Sequence, residues 1–149
     1  MEYNPSLHSH SATQPSPKVP AWRMHLLRGL FLLNFISLAL DNWSAVLFPE
    51  EQLDTLTGVT ISFWAAFSLL NLWGIRFPLK FIPILILQLL YKAAWILGTY
   101  LPARRVSNLN EDLEAFLWVC IAGIALNLLI LPWRFVYREY LQNLLKFQK

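Results

Sequence analysis

The stretch AFLWVCIAGIALNLLILPW, Ala115–Trp133, decides the fold: it runs for 19 residues without a charge. A bilayer hydrocarbon core of about 30 Å is crossed by roughly 20 apolar residues rising 1.5 Å each, so this block alone is long enough to span. Moving outward, Thr55–Ile75 adds 21 uncharged residues, and Phe81–Ala103 adds 23 interrupted once by Lys92. The first block admits two framings. Met24–Leu40 carries Arg28 near its start, and Gly29–Pro49 carries Asp41 inside. Runs such as Ile82-Pro83-Ile84-Leu85-Ile86-Leu87 lack the polar alternation of barrel strands, so helices are expected.

The whole chain agrees with its blocks. Of its 149 residues 56% are hydrophobic and only 14% charged, with a mean hydropathy of +0.45. Soluble domains average about 25% charged, so composition excludes disorder, a disulfide scaffold and most soluble enzyme folds. The expectation is an all-α, four-helix transmembrane bundle with spans about 22–47, 55–75, 81–101 and 115–133, and a short amphipathic C-terminal cytoplasmic helix over 135–149. Residues 1–20, rich in Ser and Pro, read as a disordered cytoplasmic tail. They lack the basic stretch, short apolar core and small-residue cleavage site of a secretory signal. His8 and His10 read as polar filler of that tail rather than a metal site.

Basic residues assign an orientation, because their excess marks the cytoplasmic side. Lys18, Arg23, Arg28, Arg76, Lys80, Arg134, Arg138, Lys146 and Lys149 fall on one side, and only Arg104 and Arg105 on the other. Asp41, Glu50, Glu51, Asp54, Glu111, Asp112 and Glu114 lie on or near that second side. Both termini are therefore expected in the cytoplasm. Basic residues spread over three edges beside apolar spans read as topology anchors and contacts to anionic head groups, not as a nucleic-acid surface. Trp22, Trp73 and Trp133 would mark the cytoplasmic interface, and Trp43 and Trp118 the opposite one.

Polar groups at membrane depth are costly and point to function. Lys92 is 12 residues past Lys80 and 10 before Pro102, about 18 and 15 Å of helix, too far for its stem to reach either surface comfortably. Asp41 lies 13 residues past Arg28. If Arg28 and Lys80 share an interface, Asp41 and Lys92 share a depth. An Asp41–Lys92 ion pair is then the expectation, with Asp41 capping the first span at the outer surface as the plainer alternative. One carboxamide per span (Asn34, Asn71, Gln88 and Asn127) falls roughly 8–12 Å from the cytoplasmic anchors. These read as hydrogen-bonded bundle glue or, alternatively, as a polar site opening to the cytoplasm. Gly123 with Asn127, and Ala122 with Ala125, offer small surfaces for close packing. Beyond Trp133, Tyr137, Leu141, Leu144, Leu145 and Gln148 share one stripe, fitting a surface helix or a partner's groove.

Nothing in the chain composes a catalytic set. Cys120 is its one cysteine, His25 the one histidine outside the tail, and no Gly-rich phosphate loop occurs. No catalytic residue, cofactor or metal is expected. Glu50, Glu51 and Asp54 precede the second span, where acids favour a helix N-terminus.

The segment Gly74-Ile75-Arg76-Phe77-Pro78-Leu79-Lys80-Phe81-Ile82-Pro83, followed by Leu89-Leu90-Tyr91-Lys92-Ala93-Ala94-Trp95, resembles a segment of small uncharacterised bacterial four-span inner-membrane proteins. The resemblance covers about 30 residues around the third span; it implies a bacterial inner-membrane location and carries no activity. In size and span count the chain is also similar to DoxX-like proteins, without a shared motif. The expected function is that of a structural or accessory membrane protein, with the lipid bilayer and a protein partner or a second copy of itself as its contacts. An oligomeric small transporter using Lys92 and Asp41 is the alternative. A lipid- or quinone-directed enzyme would have only Arg104, Arg105 and the outer acids to work with.

Overall fold

Asp54 starts a helix for a local reason: its Oδ1 accepts the backbone N–H groups of Leu56 at 3.0 Å and Thr57 at 3.2 Å, which have no partner within the helix. Asn110 does the same for another, accepting from the Leu113 N–H at 2.9 Å, with Glu111, Asp112 and Glu114 complementing the positive end of the helix. The computed structural model of the chain describes residues 19–49 and 52–141, which are helical with no strand among them. The tail with His8 and His10, the acids Glu50 and Glu51, and the last residues from 142 onward, with Leu144, Leu145 and Gln148, lie outside the described residues.

Among the described residues four helices are long and apolar enough to cross a membrane: α1 (Ala21–Leu47), α2 (Thr55–Arg76), α3 (Ile82–Arg105) and α4 (Glu111–Ile130). At 1.5 Å per residue they measure about 40, 33, 36 and 30 Å. Their boundaries differ from the sequence reading at prolines and caps. Pro102 does not end α3. The helix is α-helical over Ile82–Trp95, widens into a π turn over Ile96–Tyr100 and resumes over Leu101–Arg105. Proline has no N–H and its ring crowds the carbonyl four residues back, here that of Gly98; the wider turn, closed by the Leu101 N–H on the Ile96 carbonyl, absorbs both effects. Pro132 acts conventionally. It holds Leu131 at ψ 129°, out of the helical region, so α4 stops at Ile130 and Trp133 begins a new segment.

α1 and α2 form the most extensive helix pairing; α4 packs on α3 and α1, and α3 meets α2 only narrowly. Close approach of α1 to α2 depends on Gly74, since a Cβ there would collide with the ring of Phe31, which is fully buried. Farther along the same pair, Trp43 Nε1 donates to Ser68 Oγ at 3.0 Å, and Ser68 donates onward to the Ala65 carbonyl at 2.7 Å. Aromatic edges fasten the other helices. Trp64 of α2 meets Tyr91 of α3 with centroids 4.8 Å apart, and Trp95 of α3 meets Phe116 of α4 at 4.6 Å. Few apolar residues are enclosed, among them Leu27, Leu30, Phe31, Ala65, Phe67, Ile82 and Leu85.

Val19–Pro132 forms one unit, and Trp133 onward belongs to another. In the latter, Trp133–Val136 is α-helical and Tyr137–Leu141 a π turn, with Phe135 edge-on to Tyr140 at 6.5 Å. Burial, aided by Glu139, pushes the Tyr140 phenol above its ordinary value.

Candidate functional site

Three of the four carboxamides converge. Asn34 of α1, Gln88 of α3 and Asn127 of α4 are all buried, and Gln88 Oε1 accepts from Asn34 Nδ2 at 2.8 Å and from Asn127 Nδ2 at 3.5 Å. Helical spacing explains why they face inward. Asn34 continues the buried stripe Leu27, Leu30, Phe31; Gln88 continues Ile82, Leu85; and Asn127 lies seven residues after buried Cys120. A carboxamide placed on such a stripe meets its counterparts instead of lipid or water. One acceptor atom thereby ties three helices.

The fourth carboxamide stays out of that network. Asn71, fully buried on α2, donates to the Phe67 carbonyl of its own helix at 2.9 Å. Its Oδ1 and that of Asn127 are buried with no partner among the described residues. Asn127 Nδ2 also donates to the Gly123 carbonyl at 2.9 Å, dividing its hydrogen bonding between its own helix and Gln88.

Lys92 stands one turn beyond Gln88 on the same buried face and is 6% exposed. Its ammonium lies against Gly123 of α4, filling the space that a Cβ at that position would take, and 5.8 Å from the Tyr91 ring centroid. Among the described residues it forms neither an ion pair nor a hydrogen bond. The Asp41–Lys92 pair expected from equal depth is therefore not formed among the described residues. Asp41 is exposed on α1, its carbonyl accepts from Ser44 Oγ at 2.8 Å, and the helix runs on past it to Leu47. The reason is lateral. Burial on α1 ends at Asn34, one heptad before Asp41, while the lysine stem turns toward α4.

Sequence reasoning missed the seat that Gly123 provides for Lys92, the Phe31–Gly74 contact and the Trp43–Ser68 bond. A glycine amid long apolar runs was the available signal for the first two. Nothing local marked the third, because its partners are 25 residues apart. Chemically, the cluster offers one acceptor already used twice, the Asn127 amide oxygen without a partner among the described residues and one cation, an arrangement that holds helices together or orders a small polar guest. No group of three or more His, Cys, Asp or Glu is arranged to hold a metal among the described residues. No protein-family model matches the chain, and no curated protein or solved structure is significantly similar to it.

Proposed function

We propose that the chain is a multi-pass protein of a bacterial inner membrane, both termini cytoplasmic, acting as a structural or accessory subunit through contacts of its spans and of an amphipathic helix over 135–149. The observation that carries this reading is a division of labour among side chains. Three of the four mid-helix carboxamides are turned inward and bonded to one another, while the outward faces are apolar; between 11% and 28% of each candidate span is buried within the chain itself. α4 is the extreme case, with Trp118, Val119 and Leu129 each more than half exposed. Such faces are at home against lipid or against another protein's helices. Nine basic residues on one side supply the orientation. Chemical crosslinking in native membranes, followed by purification in mild detergent, tests the proposal. A stoichiometric protein partner supports it; recovery of the chain alone or only with copies of itself overturns it.

A second reading is favoured by one specific residue. Lys92 is a buried cation with no ion pair or hydrogen bond among the described residues, as a small oligomeric transporter would use for an anion or a proton. It predicts proton or chloride flux in reconstituted vesicles, abolished by Lys92→Met or Asp41→Asn without loss of the folded protein. Absence of flux from the unmodified chain removes this reading.

A further inference from the structure

We infer that the turn joining α2 to α3 and the first turns of α1 form a specific site for the phosphate head group of an anionic phospholipid. An open cleft of about 230 Å³ is lined by Met24 and Arg28 from α1, Arg76 from the last turn of α2, and Phe77–Lys80 from the turn. Its lining carries three cations and no acid. None of the three forms an ion pair among the described residues, so the positive charge is unspent.

The Phe77 ring has the Arg76 guanidinium 6.0 Å and the Lys80 ammonium 5.6 Å from its centroid, bringing both charges beside one half-exposed ring. The turn itself is closed by the Lys80 N–H on the Phe77 carbonyl at 3.1 Å and the Phe77 N–H on the Trp73 carbonyl at 3.0 Å, with Pro78 buried beneath it. Arg28 then projects from the neighbouring helix onto the same cleft. Two guanidinium forks and one ammonium suit the several oxygens of a phosphate, and Met24, Phe77 and Leu79 give its glyceryl and acyl portion an apolar wall.

The level of the site argues for a lipid and against a ligand from solution. Trp73, one turn before Phe77, and Trp22, two residues before Met24, are each 60% exposed, the disposition of side chains that settle among head groups. Both rings flank the cleft in sequence, one on each contributing helix. A phosphate fixed to a bilayer is delivered at that depth, whereas a free anion would have to be captured there from water.

This inference rests on the membrane reading above, and the test separates the two. The full chain is mixed with phosphatidylcholine vesicles for flotation, then placed in phosphatidylcholine nanodiscs doped with phosphatidylglycerol, and the retained lipids are counted by native mass spectrometry. Each cation near an anionic surface contributes about fivefold, so Arg28→Gln with Arg76→Gln and Lys80→Gln should lower phosphatidylglycerol retention on the order of a hundredfold. Arg104→Gln with Arg105→Gln should leave it unchanged. Equal loss in both variants, no loss in the triple variant, or inorganic phosphate displacing the bound signal with no preference for phosphatidylglycerol each overturns the site. Failure to float with neutral vesicles overturns the membrane reading itself, and the site with it.

Discussion

The α1–α2 pair and the α3–α4 pair are held by different physics, and glycine shows it. Gly74 lets α1 approach until the Phe31 ring occupies the place of a side chain, whereas Gly123 lets the tip of Lys92 do so. In the first pair a rigid ring fills the gap, and the contact is one of shape. In the second a flexible ammonium fills it, beside a hydrogen bond between Gln88 and Asn127 at the long limit of 3.5 Å. An interface built on shape is intolerant of added atoms; one built on a mobile stem and shared amides yields.

The sharpest way to break that contrast is to add one methyl to each glycine. Gly74→Ala should cost about 1–3 kcal/mol, the usual penalty for overpacking a rigid contact, read from unfolding in mixed micelles. Replacing the shared acceptor by Gln88→Leu should cost about 1 kcal/mol, since interhelical hydrogen bonds in bilayers average about 0.6 kcal/mol and two are lost. A double-mutant cycle with Asn34→Ala apportions that loss. Gly123→Ala should change stability by less than about 0.5 kcal/mol, as the lysine tip moves aside and alanine favours the helix. A cost equal to that of Gly74→Ala would erase the distinction between the pairs. Smallest of all, the coupling between Lys92→Met and Asp41→Asn should be zero within error in the same assay.

The end of α2 remote from Gly74 responds to pH instead. Hydrogen bonds from Thr57 hold the Asp54 carboxyl below its ordinary value of 3.8. Its folded form thus favours the carboxylate, and the cap contributes fully above that ordinary value and fades as pH falls through the lower folded one. The gap in melting temperature between the unmodified chain and Asp54→Ala should therefore be constant at neutral pH and close in strong acid.

Much of this was readable along the chain. Apolar length with few charges marks four helices, and counting depth from basic anchors placed Asn34, Gln88 and Asn127 at one level, where they do meet. Depth is one coordinate of three, however. By the same count Asn71 falls at that level yet bonds its own helix, and Asp41 falls at the depth of Lys92 yet stands exposed. Direction around the axis and distance between axes come from packing, which no periodicity along one strip of sequence records. The cap at Asp54 was legible, an acid just ahead of the second span; the cap at Asn110 and the persistence of α3 through Pro102 were not.

That persistence carries a consequence for chain length. Eight ordinary steps of about 100° would leave Tyr100 some 80° away from the Lys92 face, whereas the π turn consumes one residue and brings it to within about 20°. Tyr100 is buried, 7% exposed, as this rotation requires. The third helix thus holds one surplus residue between two segments already in phase. Removing Gly98, which has open space where a side chain would be, leaves a shorter helix with the same residues facing inward.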